Sequence, residues 1–162
     1  MIKHSHNSYW SNKPSGDAIA NGCNMVEFDV IYKLGEILVN HSWMPFNFLT
    51  YGNLSQYLVN FQLQLNKEVD NYFYIELKTG DMWAINALKT ILDPYIKSKE
   101  FKIVIGIAAH SWLGKLEGRK ELMLAIKEEM PDIILYTDIT EEIKSIDLFE
   151  KHWYSELFRK FW

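Results

Sequence analysis

One cysteine, Cys23, occurs among 162 residues, which excludes an internal disulfide and leaves no second thiol to complete a cysteine-based zinc knuckle. Any metal must be held by oxygen or histidine ligands. Basic residues number 17 against 21 acidic ones, a formal charge of -4 with no dense Lys/Arg run, and this argues against a protein held to phosphate backbones. Nucleic acid is not an expected partner. No apolar run reaches about 18 residues, the length a membrane-spanning helix needs. Met1 is followed by a polar stretch in place of a charged n-region and an apolar h-region, so the expected location is the cytoplasm. Prolines number 4 and glycines 8, and no Pro/Gly/Ser linker, repeat or low-complexity stretch divides the chain. Residues 1–162 therefore read as a single domain, with a core that can bury roughly 70% of the unfolded surface.

The hydrophobic period switches regularly between that of a strand and that of a helix. Ile2–His6 reads as a first strand and Asp17–Asn21 as part of a short helix ending at Gly22. Asn24–Tyr32 and Glu36–His41 are β-rich runs separated by Lys33-Leu34-Gly35, a strand, a tight turn and a second extended piece. Leu54, Tyr57, Leu58, Phe61 and Leu65 recur at helical spacing before the strand Tyr72–Leu77. A helix over Met82–Tyr95, a continuous apolar strand over Phe101–Ala108 and a helix over Leu116–Met130 come next. Pro131 ends that helix, Ile133–Tyr136 is another strand, and Thr140 opens a last helix. About five β/α units result. Such alternation implies a mostly parallel sheet with right-handed crossovers and sites at the carboxyl ends of its strands. A complete eight-unit barrel takes about 250 residues, so this chain is expected to be shorter than one.

Carboxylates inside apolar strands need an explanation, because a buried charge without a partner is costly. In Val26-Glu27-Phe28-Asp29-Val30 the two acids project from one face and the apolar residues from the other. A solvated strand face is the plainer account of that pair. Glu76 repeats the pattern in Tyr74-Ile75-Glu76-Leu77-Lys78, with Lys78 on its face. Three carboxylates converging at strand ends make a hard oxygen site suited to Mg²⁺ or Ca²⁺. His6 ends the first strand and His41 the piece after the Gly35 turn, and two imidazoles beside the cluster suit a general base and a general acid. His4 lies two residues before His6 and shares its face.

His6-Asn7-Ser8-Tyr9-Trp10, Ala20-Asn21-Gly22-Cys23-Asn24-Met25-Val26-Glu27-Phe28-Asp29-Val30, Gly35-Glu36-Ile37-Leu38-Val39-Asn40-His41 and Ile75-Glu76-Leu77-Lys78 together resemble the successive motifs of the glycerophosphodiester phosphodiesterase group of the phospholipase C-like phosphodiesterases. The resemblance covers about the first half of the chain. It is nearest to the branch opening His-Asn-Asp-Tyr-Trp, with Ser8 in place of the Asp, and the sphingomyelinase D enzymes are related. It implies an abbreviated TIM-barrel-like α/β fold, a single phosphodiesterase domain in which the later barrel elements are missing. It further implies His6 and His41 as the acid/base pair, Glu27, Asp29 and Glu76 as ligands of Mg²⁺ or Ca²⁺, and Lys78 and Asn7 as phosphate-binding groups.

The activity implied is metal-dependent hydrolysis of phosphoric diesters, with glycerophosphodiesters or lysophospholipid-like molecules as substrates. The alternative is a catalytically lapsed domain that keeps the metal and phosphate groups. His110 ends the Phe101–Ala108 region before Ser111-Trp112; it either meets a phosphate or head group or simply packs. Trp10, Trp43 and Trp112 stand near the same strand ends and either line a head-group pocket through cation–π contact or pack at its rim. The C-terminal stripe Trp153, Tyr154, Leu157, Phe158, Phe161 and Trp162 has four readings: a cap on the domain's own sheet, a homo-oligomer contact, a membrane-surface helix, or a chain truncated before its natural end.

Overall fold

The computed structural model describes residues 2–6, 8–10, 13–40, 50–78, 82–107 and 116–136. Its strands are β1 (His4–Ser5), β2 (Met25–Lys33), β3 (Glu36–Val39), β4 (Gly52–Asn53), β5 (Tyr72–Leu77), β6 (Lys102–Ile107) and β7 (Ile134–Tyr136). Its helices are α1 (Gly16–Ala20), α2 (Leu54–Gln62), α3 (Met82–Ser98) and α4 (Leu116–Glu129), with a 3-10 turn at Ser8–Trp10. The seven strands form one sheet in the order β4-β3-β2-β5-β6-β7, and β1 pairs with β2. β1, β2, β4, β5, β6 and β7 run in one direction, whereas β3 runs antiparallel to its neighbours β2 and β4. This is a mixed, mostly parallel α/β architecture, compatible with a barrel-like sheet. Four strand-helix alternations fall within the described residues; the helix expected from Thr140 and the aromatic tail lie outside them.

Strand alternation gives the sheet two chemically different faces. Val26, Phe28 and Val30 of β2, Phe73, Ile75 and Leu77 of β5, and Ile103, Ile105 and Ile107 of β6 point to one side, where all are buried. Against them pack Leu54, Tyr57, Leu58 and Phe61 of α2, Ile85, Leu88 and Leu92 of α3, and Leu122, Met123 and Ile126 of α4. Phe28 stacks on Phe73 at 4.9 Å with the rings 6° apart, and Phe61 meets Phe73 edge-on at 5.2 Å. The other face carries a smaller apolar layer of Ile2, Met25, Tyr72, Tyr74 and Val104. Toward the carboxyl ends of the strands, that face turns polar.

Local chemistry sets the element ends. Asn53 caps α2 by accepting from the Ser55 N–H at 3.0 Å. The β2–β3 hairpin turns at Leu34-Gly35, where both residues have positive φ, 52° and 87°; paired left-handed residues match the twist of the flanking strands. The expected turn is present, with a fully projecting leucine in it. β2 lies beside β5 from Met25 to Val30 and continues to Lys33, so the hairpin extends beyond the carboxyl end of β5. α3 passes through Pro94 to Ser98, three residues beyond the expected end at Tyr95. The ring of Pro94 removes one backbone donor, while Leu92 upstream and Tyr95 and Ile96 downstream all contact the main core. No helix among the described residues is long and apolar enough to cross a membrane.

Candidate metal and acid–base site

Pairing of the parallel strands aligns two rows of side chains across the second face. One row runs Glu27, Tyr74, Val104 and Ile134, and the next runs Asp29, Glu76, Gly106 and Tyr136. Gly106 makes room in the second row. A Cβ at that position would come 2.5 Å from the Tyr74 hydroxyl oxygen, so the Tyr74 side chain lies across the glycine. The Tyr74 ring stands 6.0 Å from the His4 ring and 5.6 Å from the Tyr136 ring, and these aromatics border the acidic groups.

Glu27, Asp29 and Glu76 each offer an oxygen within 4.8 Å of the others. Glu27 and Asp29 are buried and the Glu76 side chain is 19% exposed. The carboxylates predicted to share a face do so, and their solvated-face alternative is excluded by that burial. Lys78, one residue past β5, is fastened to the sheet by its N–H donating to the Val30 carbonyl at 2.9 Å. Its ammonium reaches between two of the acids, 3.0 Å from Asp29 Oδ1 and 2.5 Å from Glu76 Oε2.

Glu27 binds on the opposite flank. Its Oε2 lies 2.8 Å from His4 Nε2 and its Oε1 lies 3.4 Å from His6 Nε2. Both imidazoles therefore meet the carboxylate, and they differ in access: the His4 side chain is 19% exposed and that of His6 65%. β1 ends at Ser5, so His6 stands in the turn beyond the strand expected to contain it. Ser8 is buried and its hydroxyl donates to the Ser5 carbonyl at 2.9 Å, which gives it a turn-forming task where the resembling branch has an aspartate. Tyr9 stands in the first motif with no role assigned to it from the sequence, yet its hydroxyl donates to Asp29 Oδ2 at 2.6 Å. No charge pattern marked it.

The electrostatics follow from crowding. Burial first, and then the hydrogen bond with Asp29, push the Glu76 carboxyl above its usual range against the pull of Lys78. Burial lowers the Lys78 ammonium, but the Glu76 hydrogen bond and the charges of Asp29 and Glu76 outweigh it and leave the group above its ordinary value. Burial and the bond to Asp29 raise the Tyr9 hydroxyl so far that it remains a proton donor. Of three carboxylates within a largely buried space, Asp29 and Glu76 thus share one ammonium while Glu27 faces the imidazoles. Hard oxygen donors in that number could hold a metal ion, and this is the one such group of three among the described residues.

Asn7, His41 and His110 lie outside the described residues, as do Trp43, Trp112 and the side chain of Trp10. Residues 1–51 match the model of the AIM6-like phosphodiesterase domain. No curated protein matches the chain. The matched segment contains His4, His6, Glu27 and Asp29, while Glu76 and Lys78 reach the site from β5, beyond it. A phosphodiesterase-like family is supported at that level, coarser than the glycerophosphodiester or sphingomyelinase D branch.

Proposed function

We propose that this chain is a metal-dependent phosphoric diester hydrolase acting on glycerophosphodiesters or lysophospholipid-like substrates. The observation that carries the reading is the meeting of Glu27, Asp29, Glu76, Lys78 and the His4 and His6 imidazoles at the carboxyl side of the parallel strands. The phosphodiesterase-like match over residues 1–51 supports the same reaction class. Residues 1–162 then act as one phosphodiesterase domain of abbreviated barrel type.

Glu27, Asp29 and Glu76 would hold the cation, which when bound supplies positive charge against the phosphate oxygens. Lys78 adds a second positive charge beside it, and Asn7 is assigned a hydrogen bond to the same phosphate. His6 is the accessible imidazole on Glu27, suited to exchanging a proton with solvent or substrate at Nε2. Its contact with Glu27 orients the ring. His41 is assigned the complementary proton transfer, so that one imidazole takes the proton of the attacking hydroxyl and the other returns one to the leaving oxygen. His110 and Trp10 are assigned to the head group.

The test is hydrolysis of glycerophosphocholine and bis(p-nitrophenyl) phosphate. EDTA is expected to abolish turnover, Mg²⁺ or Ca²⁺ to restore it, and His6→Ala and His41→Ala each to reduce it by about 10²–10⁴-fold. Turnover that stays at the wild-type rate in both variants overturns the mechanism. Cation and phosphate binding without turnover on any diester would identify a lapsed, purely binding domain.

A further inference from the structure

Tyr9 has no part in the scheme above, yet its geometry is specific. It occupies the 3-10 turn, is 2% exposed, and directs its hydroxyl at Asp29 Oδ2 from 2.6 Å. A buried phenol needs an acceptor, but any carbonyl will serve. Tyr57 illustrates this in the same core: its ring lies 4.8 Å from Phe28 and its hydroxyl donates to the Tyr51 carbonyl at 2.7 Å. Tyr9 packs on the same two neighbours, 5.9 Å from Phe28 and 5.1 Å from Tyr51, and reaches a carboxylate. Its ring is fixed by packing, so the position of the donor is fixed as well.

Asp29 is consequently gripped from two sides by donors of different kinds. Lys78 holds Oδ1 through a full positive charge, which an arriving cation repels and replaces. Tyr9 holds Oδ2 through a neutral hydroxyl, which a cation has no reason to displace. We propose that Tyr9 is a positioning residue that clamps Asp29 through Oδ2, leaves Oδ1 turned toward the centre shared with Glu76, and so sets the affinity of the cluster for a divalent cation. This rests on the reading of Glu27, Asp29 and Glu76 as a cation site. Tyr9 follows His4 and His6 by only a few residues, so the same bond ties the imidazole-bearing segment to the strand that carries Asp29. Partners of this kind behind a ligand commonly change metal affinity by about 10–100-fold.

Calorimetric titration of the full chain with Mg²⁺ alone and with Ca²⁺ alone tests the proposal, comparing wild type, Tyr9→Phe and Tyr57→Phe. Tyr9→Phe is expected to unfold cooperatively and to bind the cation about tenfold or more weakly. Tyr57→Phe, which removes a buried hydroxyl bond of the same core, is expected to lose stability and keep wild-type affinity. Equal affinity in wild type and Tyr9→Phe overturns the positioning role alone. Absence of binding by the wild type at millimolar cation overturns that role together with the site reading on which it rests. If Tyr9→Phe does not fold, proton NMR of the wild type decides: a Tyr9 hydroxyl resonance that moves on cation addition supports the clamp, and one that stays in place overturns it.

Discussion

Glu76 carries the sharpest pH prediction. Its carboxyl holds a proton more tightly in the folded protein than in the unfolded chain, chiefly because of burial and the bond with Asp29. For an acid shifted in this direction, the stabilising contribution is complete below the unfolded value and disappears as pH rises through the folded one. Glu76→Gln mimics the protonated acid. In chelator it is expected to raise the thermal midpoint near neutral pH and to leave it unchanged near about pH 4, while weakening cation binding at neutral pH. The two histidines separate in the opposite way. His6→Ala, at an exposed position, is expected to alter stability by less than about 0.5 kcal/mol and to cut turnover by about 10²–10⁴-fold. His4→Ala takes the closer partner from a buried Glu27 and is expected to cost about 1–3 kcal/mol in denaturant unfolding. Glu27, Asp29, Glu76 and Lys78 were legible in the sequence because charges stand out in period-two apolar strands. Tyr9 was not, since a tyrosine near a core is ordinary until its hydroxyl acceptor, 20 residues away, is known. The relative access of His4 and His6 was equally hidden, because it depends on β1 stopping at Ser5.

Among the elements, β6 depends on Gly106 as a place for the Tyr74 side chain to cross. Tyr74 is 5% exposed and held between the His4 and Tyr136 rings, so it has little freedom to retreat from an added methyl. Gly106→Ala is expected to destabilise by about 1–3 kcal/mol, and combining it with Tyr74→Leu should cost less than the two single changes together; urea unfolding of the four proteins checks this. The apolar period placed β5 at its observed bounds and β2, β6, α3 and α4 within a few residues. β4 and the 3-10 turn, with two and three residues, are too short to establish any period. The end of α3 was misplaced for a different reason: burial on both sides of Pro94 outweighs the single backbone donor that the proline removes.

For the molecule as a whole, the two-faced sheet divides the work. One face and its helices supply the main core, and the other holds the charged cluster. Parallel strand order was legible because each long strand is followed by a helical period; the antiparallel return of β3 depends on hairpin geometry, and the pairing of β4 on the segment after it. A cation that binds only the folded chain must stabilise it by about 2.7 kcal/mol at a hundredfold excess over its Kd, or roughly 5–10 °C for a protein of this length. Differential scanning with Mg²⁺ or Ca²⁺ is expected to show that rise, and EDTA to reverse it. Lys78 gives this linkage a particular form, because the chain brings its own ammonium to Asp29 and Glu76. A zinc finger must find its ion before it can acquire a shape; a newly synthesised copy of this protein need not wait. Ion scarcity would then leave a reserve of intact, idle molecules, ready to start work as soon as supply returned and with no need for refolding.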